Sequence, residues 1–258
     1  MNAAAGLDVD GVTVRFGGLV AVSGLTLHAP GGRLTGLIGP NGAGKTTTFN
    51  ACSGLIRPAE GTIRFGDVDV TTAGAPQRAR MGLGRTFQLM ELFDSLTVRE
   101  NVEMGCEAMQ AGRGALRHLV SPRRERAEAR GRAGEILEQC GLTDIAGSVV
   151  GALPTGTRRL VELGRALAGE FEVLLLDEPS SGLDAAETKR FGEILRDEVA
   201  SRGTGILLVE HDMSLVADVC EYVYVLDFGE LIFEGTMAEV VASPVVRDAY
   251  LGSELAEA

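Results

Sequence analysis

Gly39-Pro40-Asn41-Gly42-Ala43-Gly44-Lys45-Thr46-Thr47 is the stretch on which the fold of this chain turns. It completes the pattern GxxxxGK[ST], in which glycines let successive backbone N–H groups face inward around a phosphate. The apolar run Leu34–Ile38 leads into it as a buried strand would. Thr46–Leu55 follows as a helix, closed near Gly54 and Pro58. A strand before and a helix after are the context such a loop needs. The helix N-terminus brings its positive end, Lys45 a cation for β- and γ-phosphates, and the Thr46 hydroxyl a ligand for Mg²⁺. A glycine-rich turn that matched by chance would lack this setting, so the loop predicts a nucleoside triphosphate site.

A second apolar run, Val173–Leu176, ends in Asp177-Glu178-Pro179. Adjacent acids at a strand tip often do no more than keep it soluble. The apolar run before them, the proline after them and the phosphate loop upstream point instead to chemistry. Asp177 would sit beside the loop and hold Mg²⁺ through water. Glu178 would project toward the γ-phosphate and polarise the attacking water.

Around these two anchors the chain reads as α/β. Strands punctuated by glycine are expected at Asp8–Arg15, Leu25–His28, Gly61–Phe65 and Val68–Val70. From about Leu96 to Leu167 helix formers dominate. Strands then resume at Val173–Leu176 and Gly205–Val209, on either side of an amphipathic helix over Ala185–Ser201. Tyr222–Leu226 and Glu230–Glu234 form a hairpin across Asp227–Gly229, with a helix from Met237. The expected architecture is an α/β core interrupted by an all-helical insertion.

Composition narrows the function classes. With 258 residues, 45% apolar and 23% charged, the chain can bury a core without metal or disulfides. Its 24 Lys+Arg against 36 Asp+Glu give a net charge of −12, which argues against nucleic acid or anionic membrane as an electrostatic partner. Arg113–Arg132 carries seven arginines and could suggest nucleic acid on its own. Glu125 and Glu128 interleave with them, and a solvated helical face laced with Glu–Arg pairs fits the acidic whole better. The longest apolar run, Tyr222–Leu226, falls far short of the roughly 18 residues a membrane span needs. No basic segment followed by an apolar stretch opens the chain, so no signal peptide is expected. Cys52, Cys106, Cys140 and Cys220 are scattered and read as reduced, buried thiols of a cytosolic protein.

These pieces resemble the ABC transporter ATPase family over almost the whole chain. The resemblance implies one cassette over residues 1–258: a P-loop core with an antiparallel β subdomain and a helical subdomain at about 96–167. It also implies that Gly39–Thr47 hold ATP and that Thr46, Asp177 and Gln88 hold Mg²⁺. Ser181-Gly182-Leu183-Asp184 resembles the D-loop that crosses to a partner cassette. His211 is similar to the switch histidine at the γ-phosphate. Gln88, in Arg85-Thr86-Phe87-Gln88, resembles the Q-loop glutamine that senses Mg²⁺ and the water and couples to the transport domain. Phe16 stands where the family stacks an aromatic ring on adenine.

Residues 82–102 (GLGRTFQLMELFDSLTVRENV), the Arg-rich segment and residues 233–252 (FEGTMAEVVASPVVRDAYLG) resemble, more narrowly, ATP-binding subunits of branched-chain amino-acid uptake systems. That implies an importer at the cytoplasmic face of the membrane, with two permease subunits, a second cassette and a solute-binding protein. Urea and amides remain open as cargo. Leu89–Phe93 is the expected surface for a permease helix.

One place departs from the family. Where Leu-Ser-Gly-Gly-Gln is usual, this chain reads Leu153-Pro154-Thr155-Gly156-Thr157, ahead of a helix over Arg158–Ala168. Pro154 offers neither hydroxyl nor N–H. Thr155 is the candidate replacement donor, with Gly156 beside it, and a partner cassette of different sequence is expected. A soluble ABC ATPase of DNA repair or translation is the alternative, and a small-molecule P-loop kinase a third. The single cassette, the acidic charge and the set Gln88, Leu153–Thr157 and His211 favour the importer.

Overall fold

The computed structural model describes residues 5–86, 92–112 and 122–256. Strands β1 (Leu7–Phe16) and β2 (Leu19–Ala29) pair antiparallel and lead into β3 (Leu34–Ile38), which ends at the glycine loop. Helix α1 (Lys45–Ser53) leaves that loop, followed by β4 (Glu60–Phe65), β5 (Val68–Asp69), α2 (Ala75–Arg80) and β6 (Leu83–Arg85). The insertion contributes α3 (Val98–Gly112), α4 (Pro122–Gln139) and α5 (Thr155–Leu167). Then come β7 (Val173–Asp177), α6 (Ala185–Arg202), β8 (Gly205–Val209) and α7 (Met213–Val219). The chain closes with β9 (Tyr222–Asp227), β10 (Glu230–Gly235), α8 (Met237–Ala242) and α9 (Pro244–Ala256).

Two sheets result. One is antiparallel, in the order β2-β1-β4-β5. The other runs β10-β9-β3-β8-β7-β6, parallel except for the edge strand β10. The expected P-loop core, antiparallel β layer and helical insertion are all present. β3, β7 and β8 are buried on both faces, which is why they read as unbroken apolar runs. Their side chains still alternate between two cores. Leu174, Leu176, Ile206 and Leu208 pack with the helices of the insertion, around Val102, Ile136 and Val161. Val173, Leu175, Leu207 and Val209 face the antiparallel sheet and Phe49 of α1. Each such apolar side chain contributes about 1.5–3 kcal/mol by leaving water.

Several elements differ from the sequence reading. β6 is only three residues long, too short to carry a periodic signal. β2 begins at Leu19, and register shifts along its pairing with β1 break the alternation that a flat strand would show. The C-terminal helix stops at Ser243 and restarts at Pro244, because proline has no N–H to continue the ladder. Arg132 leaves the solvated face expected of its run. It donates to the carbonyls of Leu167 and Ala168 and pairs with Glu170. All four cysteines are free and buried, as expected. Among the described residues no helix is long and apolar enough to cross a membrane.

Candidate functional site

Close backbone approach shapes the loop between β3 and α1. Gly39 has φ +152°, and a Cβ there would lie 2.1 Å from the Leu226 carbonyl of β9. At Gly44, φ +98°, it would lie 2.7 Å from the Ala21 carbonyl. Neither position accommodates a side chain. Lys45 turns back into the loop, donating from Nζ to the carbonyls of Gly39 at 2.7 Å and Pro40 at 3.0 Å. Only 5% of it is exposed. Burial lowers its pKa, opposed by Glu178 and then Asp177. Asn41–Thr47 line a cleft of about 450 Å³ together with Leu19, Val20, Ala21, Glu178, His211 and Phe228. A buried ammonium beside the N-terminus of α1, in a cleft lined by Asn41–Thr47, has the chemistry that anions favour.

Asp177 ends β7 and is 2% exposed. Burial raises its carboxyl pKa, and the Arg85 guanidinium, 3.0 Å from Oδ2, works against that rise. Arg85 reaches it from the end of β6 while donating to Asn50 Oδ1 at 2.7 Å and Ser53 Oγ at 2.9 Å on α1. Glu178 follows in the left-handed region, at φ +47°. Its N–H donates to the Val209 carbonyl at 2.9 Å. Its Oε1 meets Nε2 of His211 at 2.8 Å, so these two expected residues, 33 positions apart, touch directly. Positive φ at a non-glycine residue costs on the order of 1–3 kcal/mol and clusters at functional sites.

The remaining candidates lie around this centre. Phe16 stands half-exposed at the end of β1, whereas the apolar rim of the cleft is formed by Leu19, Val20, Ala21 and Phe228. Phe228 is 89% exposed at φ +43°, in the β9–β10 turn that Gly229 anchors to the loop by donating to the Ala43 carbonyl at 3.0 Å. Thr155 opens α5 and is exposed; Pro154 caps that helix with no side-chain hydrogen bond. Gly156 abuts Glu187, and the Thr155 methyl lies against Gly182. Arg159 Nε donates to the Ser181 carbonyl at 3.3 Å. The altered signature and the Ser181–Asp184 turn thus form one surface. The Asp184 carboxylate is spent within it, capping α6 at Ala186 and Glu187.

Gln88, and with it Leu89 and Met90 of the expected coupling surface, lies outside the described residues. Leu92 packs partly into the core, and Phe93 stays 44% exposed with its ring 5.4 Å from the Arg165 guanidinium. Sequence reasoning missed Arg85, Phe228 and Glu210 as members of the site. The one local signal was a charged residue placed directly between a buried strand and His211.

A parallel sheet with this phosphate loop at one strand's end defines a P-loop nucleoside triphosphatase. Residues 22–181 match the family described as ABC transporter, and the chain belongs to that family as an ATP-binding cassette, an ATPase. Residues 230–256 match a second description, branched-chain amino acid ATP-binding cassette transporter. The chain is 39% identical over 249 residues to the high-affinity branched-chain amino acid transport ATP-binding protein LivG of Escherichia coli (strain K12). The alignment covers 95% of this chain and 97% of that protein. It is 35% identical to the corresponding protein BraF of Pseudomonas aeruginosa, with the same coverage. In three dimensions it resembles the crystal structure of MJ1267 in its ADP conformation. That cassette of an ABC transporter superposes with a TM-score of 0.84 at 28% identity, covering 96% of this chain and 99% of that one.

Proposed function

We propose that this cassette hydrolyses ATP to drive import of branched-chain amino acids. The observation that carries the cargo is the match of residues 230–256 to the branched-chain amino acid cassettes. LivG and BraF, whose names state that cargo, support it along nearly their whole lengths. Two permease subunits, a second cassette of different sequence and a solute-binding protein complete the proposed assembly, which places the chain peripherally at the cytoplasmic face of the membrane.

Within the cleft, backbone N–H groups between Asn41 and Thr47 and the Lys45 ammonium hold the β- and γ-phosphates. Lys45 gives up its carbonyl partners in the loop to do so. Phe16, or the rim of Leu19, Val20 and Phe228, takes the base. Glu178 accepts the proton of the attacking water, and His211, donating from Nε2, keeps that carboxylate aimed. The Thr46 hydroxyl and the Asp177 carboxylate are hard oxygen donors of the kind Mg²⁺ takes, and Asp177 lies within the field of Lys45, so the donor set fits the ion. The chemistry Mg²⁺ supplies is neutralisation of charge on the phosphate oxygens. Gln88 is a further proposed ligand of that ion. Thr155, Gly156, Ser181 and Asp184 face the partner cassette, where the uncapped N-terminus of α5 meets the partner's γ-phosphate. Phe93 belongs to the permease-docking surface.

Purification of the tagged chain from its native membranes tests this reading. Two permeases and a second cassette should co-purify, and ATP hydrolysis by the complex should rise with leucine-loaded binding protein but not with urea. Recovery with ribosomes or DNA-repair proteins, or stimulation by urea alone, would overturn it.

A further inference from the structure

Glu210 is a buried acid that the proposed hydrolysis leaves unused. It follows β8 directly and is 2% exposed. A carboxylate so far from water is costly unless it is hydrogen-bonded. Its partners are donors from two different loops, the Ser180 backbone and side chain on one side and the His211 and Asp212 backbone on the other. Oε1 accepts the Ser180 N–H at 2.8 Å, two residues after Glu178, and Oε2 accepts the His211 N–H at 3.1 Å. Burial pushes its carboxyl pKa upward, and bonds from Ser180, His211 and the Asp212 backbone pull it back.

These contacts close a ring. Glu178 leads through Pro179 to Ser180, Ser180 donates to Glu210, Glu210 is joined to His211, and His211 Nε2 returns to Glu178 Oε1 at 2.8 Å. The Glu178 N–H is meanwhile held by Val209, the residue before Glu210. A glutamate at φ +47° persists only where its surroundings over-determine it, and this ring is what surrounds it.

We propose that Glu210 is a positioning residue for ATP hydrolysis: it clamps the turn after Glu178 to the turn carrying His211 and so sets the distance between those two side chains. The inference rests on the proposed roles of Glu178 and His211. Glu210→Gln is the test. It keeps the shape but turns an NH₂ toward the N–H donors of one of the two loops, so that arm of the clamp is lost. In the purified cassette kcat should fall about tenfold or more, while affinity for a non-hydrolysable ATP analogue stays within about twofold, since only aim is disturbed. In a Glu178→Gln background, followed by single-turnover hydrolysis, Glu210→Gln should add no further loss, because positioning an absent base is worth nothing. Glu210→Thr, which removes the buried charge and keeps an acceptor, carries the same expectations should the glutamine variant not fold. An unchanged kcat, an affinity loss as large as the rate loss, or losses that multiply in the double variant would each overturn the proposal. Wild-type turnover in Glu178→Gln alone would instead reject Glu178 as the base, a separate failure.

Discussion

Arg85 and Asp177, 92 residues apart in sequence, form an ion pair at 3.0 Å between two buried side chains at the ends of neighbouring strands. Their pairing offsets part of the cost of burying the Asp177 carboxylate. Arg85→Met should therefore cost about 3–5 kcal/mol, the scale for leaving a buried charge uncompensated. The sign with pH follows from Asp177, whose folded pKa is already raised and would rise further without Arg85. A raised folded pKa means stability is lost as pH climbs from the unfolded value toward the folded one. The deficit of Arg85→Met relative to the parent should therefore shrink as pH falls toward 4, as melting temperatures across that range would show. A pH-independent deficit would argue that the guanidinium acts through packing alone.

Lys45→Ala should abolish nucleotide binding, because the loop loses the buried ammonium that now bonds the Gly39 and Pro40 carbonyls and that the proposed function turns to the phosphates. Glu178→Gln should separate binding from chemistry. Affinity persists while hydrolysis falls by about two to four orders of magnitude, the range for a lost general base. Calorimetric titration with an ATP analogue, beside a phosphate-release assay, reads both. Near-normal binding by the lysine variant would defeat the phosphate-loop assignment.

Phe228 keeps a strained backbone and an exposed ring at the rim of the cleft. Asparagine tolerates left-handed φ far better than phenylalanine. Phe228→Asn should hence leave the melting temperature equal or higher, yet weaken ATP relative to inorganic triphosphate by about threefold to tenfold if the ring covers the base. Phe16→Ala is the comparison. A larger effect at Phe16 would return the base contact to β1.

Thr155 is exposed at the first position of α5, after a proline that gives the helix no side-chain cap. With Thr155 as the replacement donor, Thr155→Ala loses a charge-assisted hydrogen bond worth about 1.5–3 kcal/mol. ATP-driven dimerisation and hydrolysis in the mixed assembly should fall about tenfold or more, one decade per 1.4 kcal/mol. Thr157→Ala should matter less. Size-exclusion chromatography of Glu178→Gln alone with ATP should give a monomer, and a tight homodimer there would sink the proposal of a different partner.

Legibility in the sequence followed the distance over which each feature is decided. Leu34–Ile38 and Gly205–Val209 coincide with β3 and β8 because strands buried on both faces leave an unbroken apolar run. The register shifts of β2, the three residues of β6 and the short helix α7 carry no such run, and the sequence reading missed or shortened them. The Asp184 carboxylate caps α6 two and three residues downstream, a local use that its resemblance to the D-loop did not suggest.

By itself the sequence determined the phosphate loop, since strand, glycines, lysine and helix are contiguous and their backbone demands are local. The acids Asp177 and Glu178 belong with it for the same reason: an apolar strand delivers them to its own carboxyl end. Tertiary structure alone decided who meets whom there. The order β3-β8-β7-β6 brings the tips of four strands side by side, so Arg85 meets Asp177, His211 meets Glu178 and Glu210 spans two loops. The β9–β10 turn puts Phe228 on the rim in the same way. Such pairs depend on strand order and on loops closing across it, and spacing along a single chain does not encode which strand lies next to which.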